Sequence, residues 1–133
     1  MLIKRLKECG EITAGDGTRL RELLHPQRDP AGVRYSLAVA RLAPGQSSLP
    51  HRLKTSEVYY LIEGKGEMHV DNEAARVQAG DAVYIPPGAT QRLSNSGPEE
   101  IAFICIVDPA WQAEDEEVMT GQDSSPEKPP GPA

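Results

Sequence analysis

His51 and Glu57 are the two residues of this sequence best placed to do chemistry. Glu57 opens the apolar run Glu57–Ile62. A carboxylate that faces an apolar interior needs a metal, a base or hydrogen bonds. His51 or Tyr59 could be its partner with no metal present. Strand alternation puts Tyr59 and Leu61 on the same face as Glu57. Phe103 and Cys105 share a face on a later strand, and Cys105 reads as a small buried hydrophobe rather than a nucleophile. Of the other histidines, His69 lies opposite Met68 and Val70 and so faces away from that interior. His25 is attached to Pro26 and reads as structural or exposed. Arg52 and Lys54 are expected to flank the mouth of that interior and read as a solvated rim that an acidic substrate could use.

The elements that must position these residues are short strands. Tyr35–Leu42 alternates apolar residues and ends at Pro44-Gly45. Glu57–Ile62 ends at Gly64. Glu67–Val70, Ala74–Gln78, Ala82–Ile85, Gln91–Ser94 and Ile101–Val107 follow, separated by turn residues. Pro87-Gly88 suits the centre of a type II turn, with proline fixing one φ and glycine supplying the positive one. Strands this short and this closely spaced argue for a sandwich or barrel. Residues 1–34 form an N-terminal arm, in which Thr18–Leu24 reads as an amphipathic helix or an edge strand. Residues 35–111 form the barrel. Residues 112–133 are an acidic, proline-rich tail, expected to be largely disordered because it cannot bury enough apolar surface to offset its ordering entropy. Ala113–Met119 could add one acidic helical turn before it.

The chain has 133 residues, which suits one domain, and its 38% hydrophobic and 26% charged content is that of an ordinary globular protein. The net charge is −6, of which −5 falls on residues 112–133, where six acidic residues face Lys128. No basic stripe is present, which argues against nucleic acid as a partner. No apolar run approaches the ~20 residues that cross a bilayer as a helix. Met1–Gly10 holds three basic residues with no apolar stretch after them, unlike a secretory signal. Two cysteines, Cys9 and Cys105, make no disulfide framework, so the expected setting is the reducing cytoplasm.

Two stretches carry a family resemblance. In the first, Gly45 is followed after five residues by His51, then Arg52, Leu53, three residues, Glu57, six residues and Gly64. In the second, Gly80, Pro86, Gly88, Gln91 and Asn95 stand at set intervals. Both resemble, step for step in spacing, the paired motifs of the cupin superfamily. The fifteen residues between them resemble the spacer of small bacterial cupins. The resemblance implies an all-β double-stranded β-helix, or jelly-roll barrel.

It also implies a site. In cupins the motif positions project into the barrel and hold one divalent transition metal, which here would fall to His51, Glu57 and Gln91. Imidazole and carboxylate suit Zn, Fe, Mn or Ni. Two of the four usual ligand positions differ: Leu53 stands for the second histidine and Gln91 for the third. Gln91 is neutral and Leu53 has no donor, so any metal is expected to be weakly held. Leu53, Tyr59, Leu61, Phe103 and Cys105 are expected to line the pocket. The implied partner is a small oxygen-rich or acidic molecule, either acted on by an isomerase, dioxygenase or lyase, or bound by a non-catalytic module whose metal site has decayed. A homodimer is expected, because a small open barrel leaves edge strands that need cover and two-fold pairing is the commonest solution.

Overall fold

A computed structural model describes residues 1–119. The described residues hold eleven strands: β1 (Glu11–Thr13), β2 (Arg19–Leu24), β3 (Ser36–Leu42), β4 (His51–Leu53), β5 (Ser56–Glu63), β6 (Lys65–Val70), β7 (Glu73–Gln78), β8 (Ala82–Ile85), β9 (Gln91–Ser94), β10 (Ile101–Asp108) and β11 (Glu116–Val118). Among the described residues the only helices are two single 3₁₀ turns, Leu6–Glu8 and Ala113–Asp115. None is long and apolar enough to cross a membrane. The strands form two antiparallel sheets, ordered β1-β2-β3-β10-β5-β8 and β11-β4-β9-β6-β7. This is the all-β jelly roll that strand spacing and the paired motifs implied.

The core lies between the sheets, and alternation along each strand decides what enters it. On β3, Ala38, Ala40 and Leu42 point inward. On β5, Glu57, Tyr59 and Leu61 do, while Tyr60 and Ile62 remain exposed. On β10, Ile101, Phe103, Cys105 and Val107 are buried. Register then stacks them: Cys105 lies opposite Tyr59 and Phe103 opposite Leu61. The opposite sheet adds Met68, Val77 and Leu93 to the same cluster.

Two glycines are needed where they stand. Gly88, at φ 83°, turns the chain after Pro87, and its N–H donates to the Leu53 carbonyl at 2.7 Å. That bond ties the turn to β4. Gly66 has no unusual φ, but a Cβ there would come within 2.3 Å of the Ser94 carbonyl and 2.7 Å of Ile101 Cδ1. A side chain at this position would collide with the backbone of β9.

Several elements differ from expectation. Thr18–Leu24 is strand β2, but not an edge: β1 pairs outside it, Glu11 with Arg21 and Thr13 with Arg19. A strand of three residues leaves no periodic signal. The same brevity hid β4. The acidic helical turn expected over Ala113–Met119 is a 3₁₀ turn followed by β11, so the start of the expected tail is ordered. Here the open edge of β4 outweighs local propensity: Glu117 pairs with Arg52 in register, and the Arg52 Nε donates to Glu117 Oε1 at 2.9 Å. The remainder of the expected disordered tail, from residue 120 on, lies outside the described residues.

Gly66→Ala should lower stability by about 1–3 kcal/mol in denaturant unfolding, the usual cost of forcing atoms into a packed interior. A variant within about 0.5 kcal/mol of the wild type, the usual range for an exposed substitution, would show that β6 and β9 can part at little cost.

Candidate functional site

A cavity of about 330 Å³ opens inside the barrel, between the six-stranded sheet, β4 and the turn that joins β1 to β2. Its walls are chiefly apolar, from Ile12, Leu20, Ala38, Ala40, Leu53 and Val107, with aromatic surface from Tyr59, Phe103 and Trp111. Tyr59 and Phe103 pack with ring centroids 4.6 Å apart. His51, Glu57, Asp16 and Cys105 bring polar atoms to it.

The strands explain how these side chains meet. β4 pairs with β9 through His51 and Gln91. Glu57 and Tyr59 come from β5, in the opposite sheet, and point back across the barrel. Gln91 bridges them: Tyr59 Oη donates to Gln91 Oε1 at 2.7 Å, and Gln91 Nε2 donates to Glu57 Oε1 at 2.9 Å. All three side chains are buried. On the other side, the His51 Nδ1 lies 3.0 Å from the Leu49 carbonyl. A carbonyl can only accept, so Nδ1 carries the proton and Nε2 faces the cavity. Nε2 lies 3.7 Å from Asp16 Oδ2. Asp16 is itself anchored, because its Oδ1 accepts from the Thr18 N–H at 3.1 Å and hydroxyl at 2.7 Å.

Burial governs the electrostatics. It pushes the Glu57 carboxyl up to about 8; the Gln91 hydrogen bond works against this, and the negative charges of Asp16 and Glu116 add to it. Burial also raises the Tyr59 hydroxyl and the Cys105 thiol well above their ordinary ranges. Cys105 therefore stays a thiol, in keeping with a small buried hydrophobe. The Tyr59 proton points at Gln91 and not into the cavity.

Of the residues expected at the site, His51, Glu57, Leu53, Tyr59, Phe103 and Cys105 line the cavity, while Gln91 and Leu61 do not. Gln91 sits behind Glu57 and Tyr59 with both amide atoms engaged. Leu61 is sealed in the core, one inward position further along β5 than Tyr59. His69 points elsewhere, with Nε2 3.0 Å from Glu67 Oε1. His25 is fully buried and structural: its Nε2 lies 2.8 Å from the Trp111 carbonyl, and its Nδ1 accepts from the Gln27 N–H at 3.1 Å. Arg52 is held by Glu117, and neither it nor Lys54 lines the cavity.

These donors make a poor cage for a divalent metal. Leu53 offers nothing, and the Gln91 oxygen already accepts the Tyr59 proton. Among the described residues no group of three or more His, Cys, Asp and Glu side chains is placed to share an ion. Sequence reading missed Asp16, Trp111 and Glu116. Gly15-Asp16-Gly17 looks like any turn, and only the pairing of distant strands brings it over His51.

The buried carboxyl has a pH signature. Folded Glu57 holds its proton up to about 8, whereas the ordinary value is 4.5. Unfolding between those values releases a proton, so this contribution to stability is fully present below the lower value. It declines as pH rises through the window and is lost above the upper one. Glu57→Gln, which keeps an acceptor for Gln91, should become more stable relative to wild type as pH rises from 5 to 9. Parallel profiles in denaturant unfolding would refute the buried neutral carboxyl.

Comparison with known proteins agrees with this architecture. An uncharacterized protein of Methanocaldococcus jannaschii is 41% identical over 105 residues, which is 78% of this chain and 83% of that one. An oxalate-binding protein of Thermotoga maritima is 26% identical over 68 residues, 50% of this chain and 56% of that one. Among solved structures, a cupin 2 conserved barrel domain protein from Salinispora arenicola superposes with a TM-score of 0.71 at 24% identity, covering 86% of this chain and 91% of that one. The model of the cupin domain family matches residues 38–107, a span that holds both motifs and every strand from β4 to β9, and the chain belongs to that family.

Proposed function

We propose that this chain is a small-ligand-binding cupin that holds one largely apolar molecule directly on its side chains, with no metal between. The observation that carries this reading is the engagement of Gln91. Its oxygen and its nitrogen are both used within the protein, on Tyr59 and Glu57. With Leu53 in place of a donor, two of the four motif positions are closed to a metal. The cavity that remains, about 330 Å³, falls at the small end of the range for ligand pockets. Its apolar and aromatic walls suit a hydrocarbon or ring body better than the oxygen-rich or acidic molecule first expected.

The test is metal titration by calorimetry on protein purified without a histidine tag. Wild type should bind no Zn, Mn, Ni or Fe(II) ion at millimolar concentration, and Leu53→His should gain binding. Stoichiometric binding to wild type that His51→Ala abolishes would overturn the proposal and restore His51, Glu57 and Gln91 as ligands.

The protein is further proposed to work as a homodimer. The outer face of the six-stranded sheet is apolar over several strands. Val58, Ile104 and Ile106 are half-buried there, and Tyr60 and Tyr84 are 42% and 63% exposed. In register, Ile106 stands beside Val58 and Val58 beside Tyr84, which makes one continuous row. Contiguous apolar patches of this kind mark contact surfaces, and a second copy would cover both faces with one patch. Light scattering at tens of micromolar protein should give a dimer mass, and Tyr84→Glu should shift it toward monomer. A monomer mass for wild type counts against the pairing.

A further inference from the structure

We infer that the pocket recognises a small organic ammonium: a protonated amine carried on an apolar or aromatic body. The inference rests on the cavity being a ligand site, as proposed above, and adds the chemical class of the ligand.

The argument is an inventory of hydrogen-bonding atoms. Donors around the cavity are engaged within the protein. The Thr18 hydroxyl donates to Asp16, Tyr59 to Gln91, and the Gln91 amide to Glu57. The Trp111 Nε1 donates to Glu116 Oε1 at 3.3 Å. Arg28, at the mouth, gives both its Nε and a terminal nitrogen to Glu22. The hydroxyls of Ser36 and Thr13 can turn either way. Beyond these and the proton of the neutral Glu57 carboxyl, what remains is acceptors. Asp16 is only 7% exposed and lines the cavity, yet its Oδ2 makes no hydrogen bond among the described residues. The His51 Nε2 lies beside it, 3.7 Å away and beyond hydrogen-bond reach. Asp16 Oδ2 is therefore the acceptor that an ammonium group in the cavity would meet.

Charge points the same way. The acidic side chains lining the cavity besides the neutral Glu57 are Asp16 and Glu116, with Glu22 already matched by Arg28. Crowding of Asp16 and Glu116 against Glu57 helps hold the Glu57 proton in place, an imbalance that a bound cation would relieve. Tyr59, Phe103 and Trp111 supply ring faces that attract a cation and pack against its body. A carboxylate ligand would meet the Asp16 and Glu116 side chains and be repelled.

Three probes of one shape separate the cases: benzylamine, benzyl alcohol and benzoate, titrated into the wild-type protein by calorimetry near neutral pH. Benzylamine should bind at least about tenfold tighter than benzyl alcohol, and benzoate weakest of the three. Asp16→Asn, whose amide oxygen can still accept from Thr18, should collapse the ratio between amine and alcohol. Glu116→Gln should lower it less. If wild type binds the alcohol or benzoate as tightly as the amine, the amine inference fails while the ligand pocket stands. The inference also fails if a folded Asp16→Asn keeps the full preference. If none of the three binds wild type at millimolar concentration, both the inference and the ligand-pocket reading fall.

Discussion

The two sheets of this barrel are joined at their centre by a polar relay, Tyr59 to Gln91 to Glu57. Tyr59 and Glu57 belong to β5 in one sheet, and Gln91 to β9 in the other. Hydrogen bonds of this kind are worth little net when made, but leaving their partners unpaired in a buried site costs the full desolvation of each group. The relay therefore fixes how β9 sits over β5, and with it the position of His51, which pairs with Gln91 across β4 and β9. It also sets the chemistry of the pocket. With its hydrogen-bonding atoms turned inward on one another, Gln91 props up Glu57 and leaves the cavity floor to a neutral carboxyl and aromatic rings.

β5 carries demands on both of its faces. Glu57, Tyr59 and Leu61 build the site and core, while Tyr60 and Ile62 join the apolar outer face. That is why Glu57–Ile62 reads as an almost continuous apolar run. The strand that furnishes the pocket wall is the one whose other side carries the apolar outer face, so the proposed ligand within and the proposed partner without would bear on the same backbone.

The jelly roll was legible in the sequence because its signals are local. Turn glycines and prolines sit between short alternating runs, and the motif spacing puts His51 and Glu57 on neighbouring elements. Alternation put Tyr59 and Leu61 on the face of Glu57, and the family resemblance added Leu53, Phe103 and Cys105; the cavity has all but Leu61 as lining. What was not legible depends on contacts between distant residues. Asp16 reaches His51 only because the turn after β1 is stitched to the segment before β4, where the Leu49 N–H donates to the Asp16 carbonyl at 2.7 Å. The acidic composition of residues 114–117 suggested a solvated helical turn, and only the vacant edge of β4 draws Glu116–Val118 into a strand. Gln91 occupies the motif position expected of a ligand, but its bonding depends on a tyrosine 32 residues earlier.

β11 closes the edge of β4, the strand that begins with His51. During synthesis Asp16 leaves the ribosome about a hundred residues before Glu116. Until Val118 has emerged, the nascent barrel carries an unpaired edge beside its binding residues, open to any other extended segment. The site thus takes its rim from segments about a hundred residues apart and is whole only once β11 has paired with β4. A chain stalled before β11 would hold His51, Glu57 and Gln91 but present a sticky strand where the finished protein has a wall.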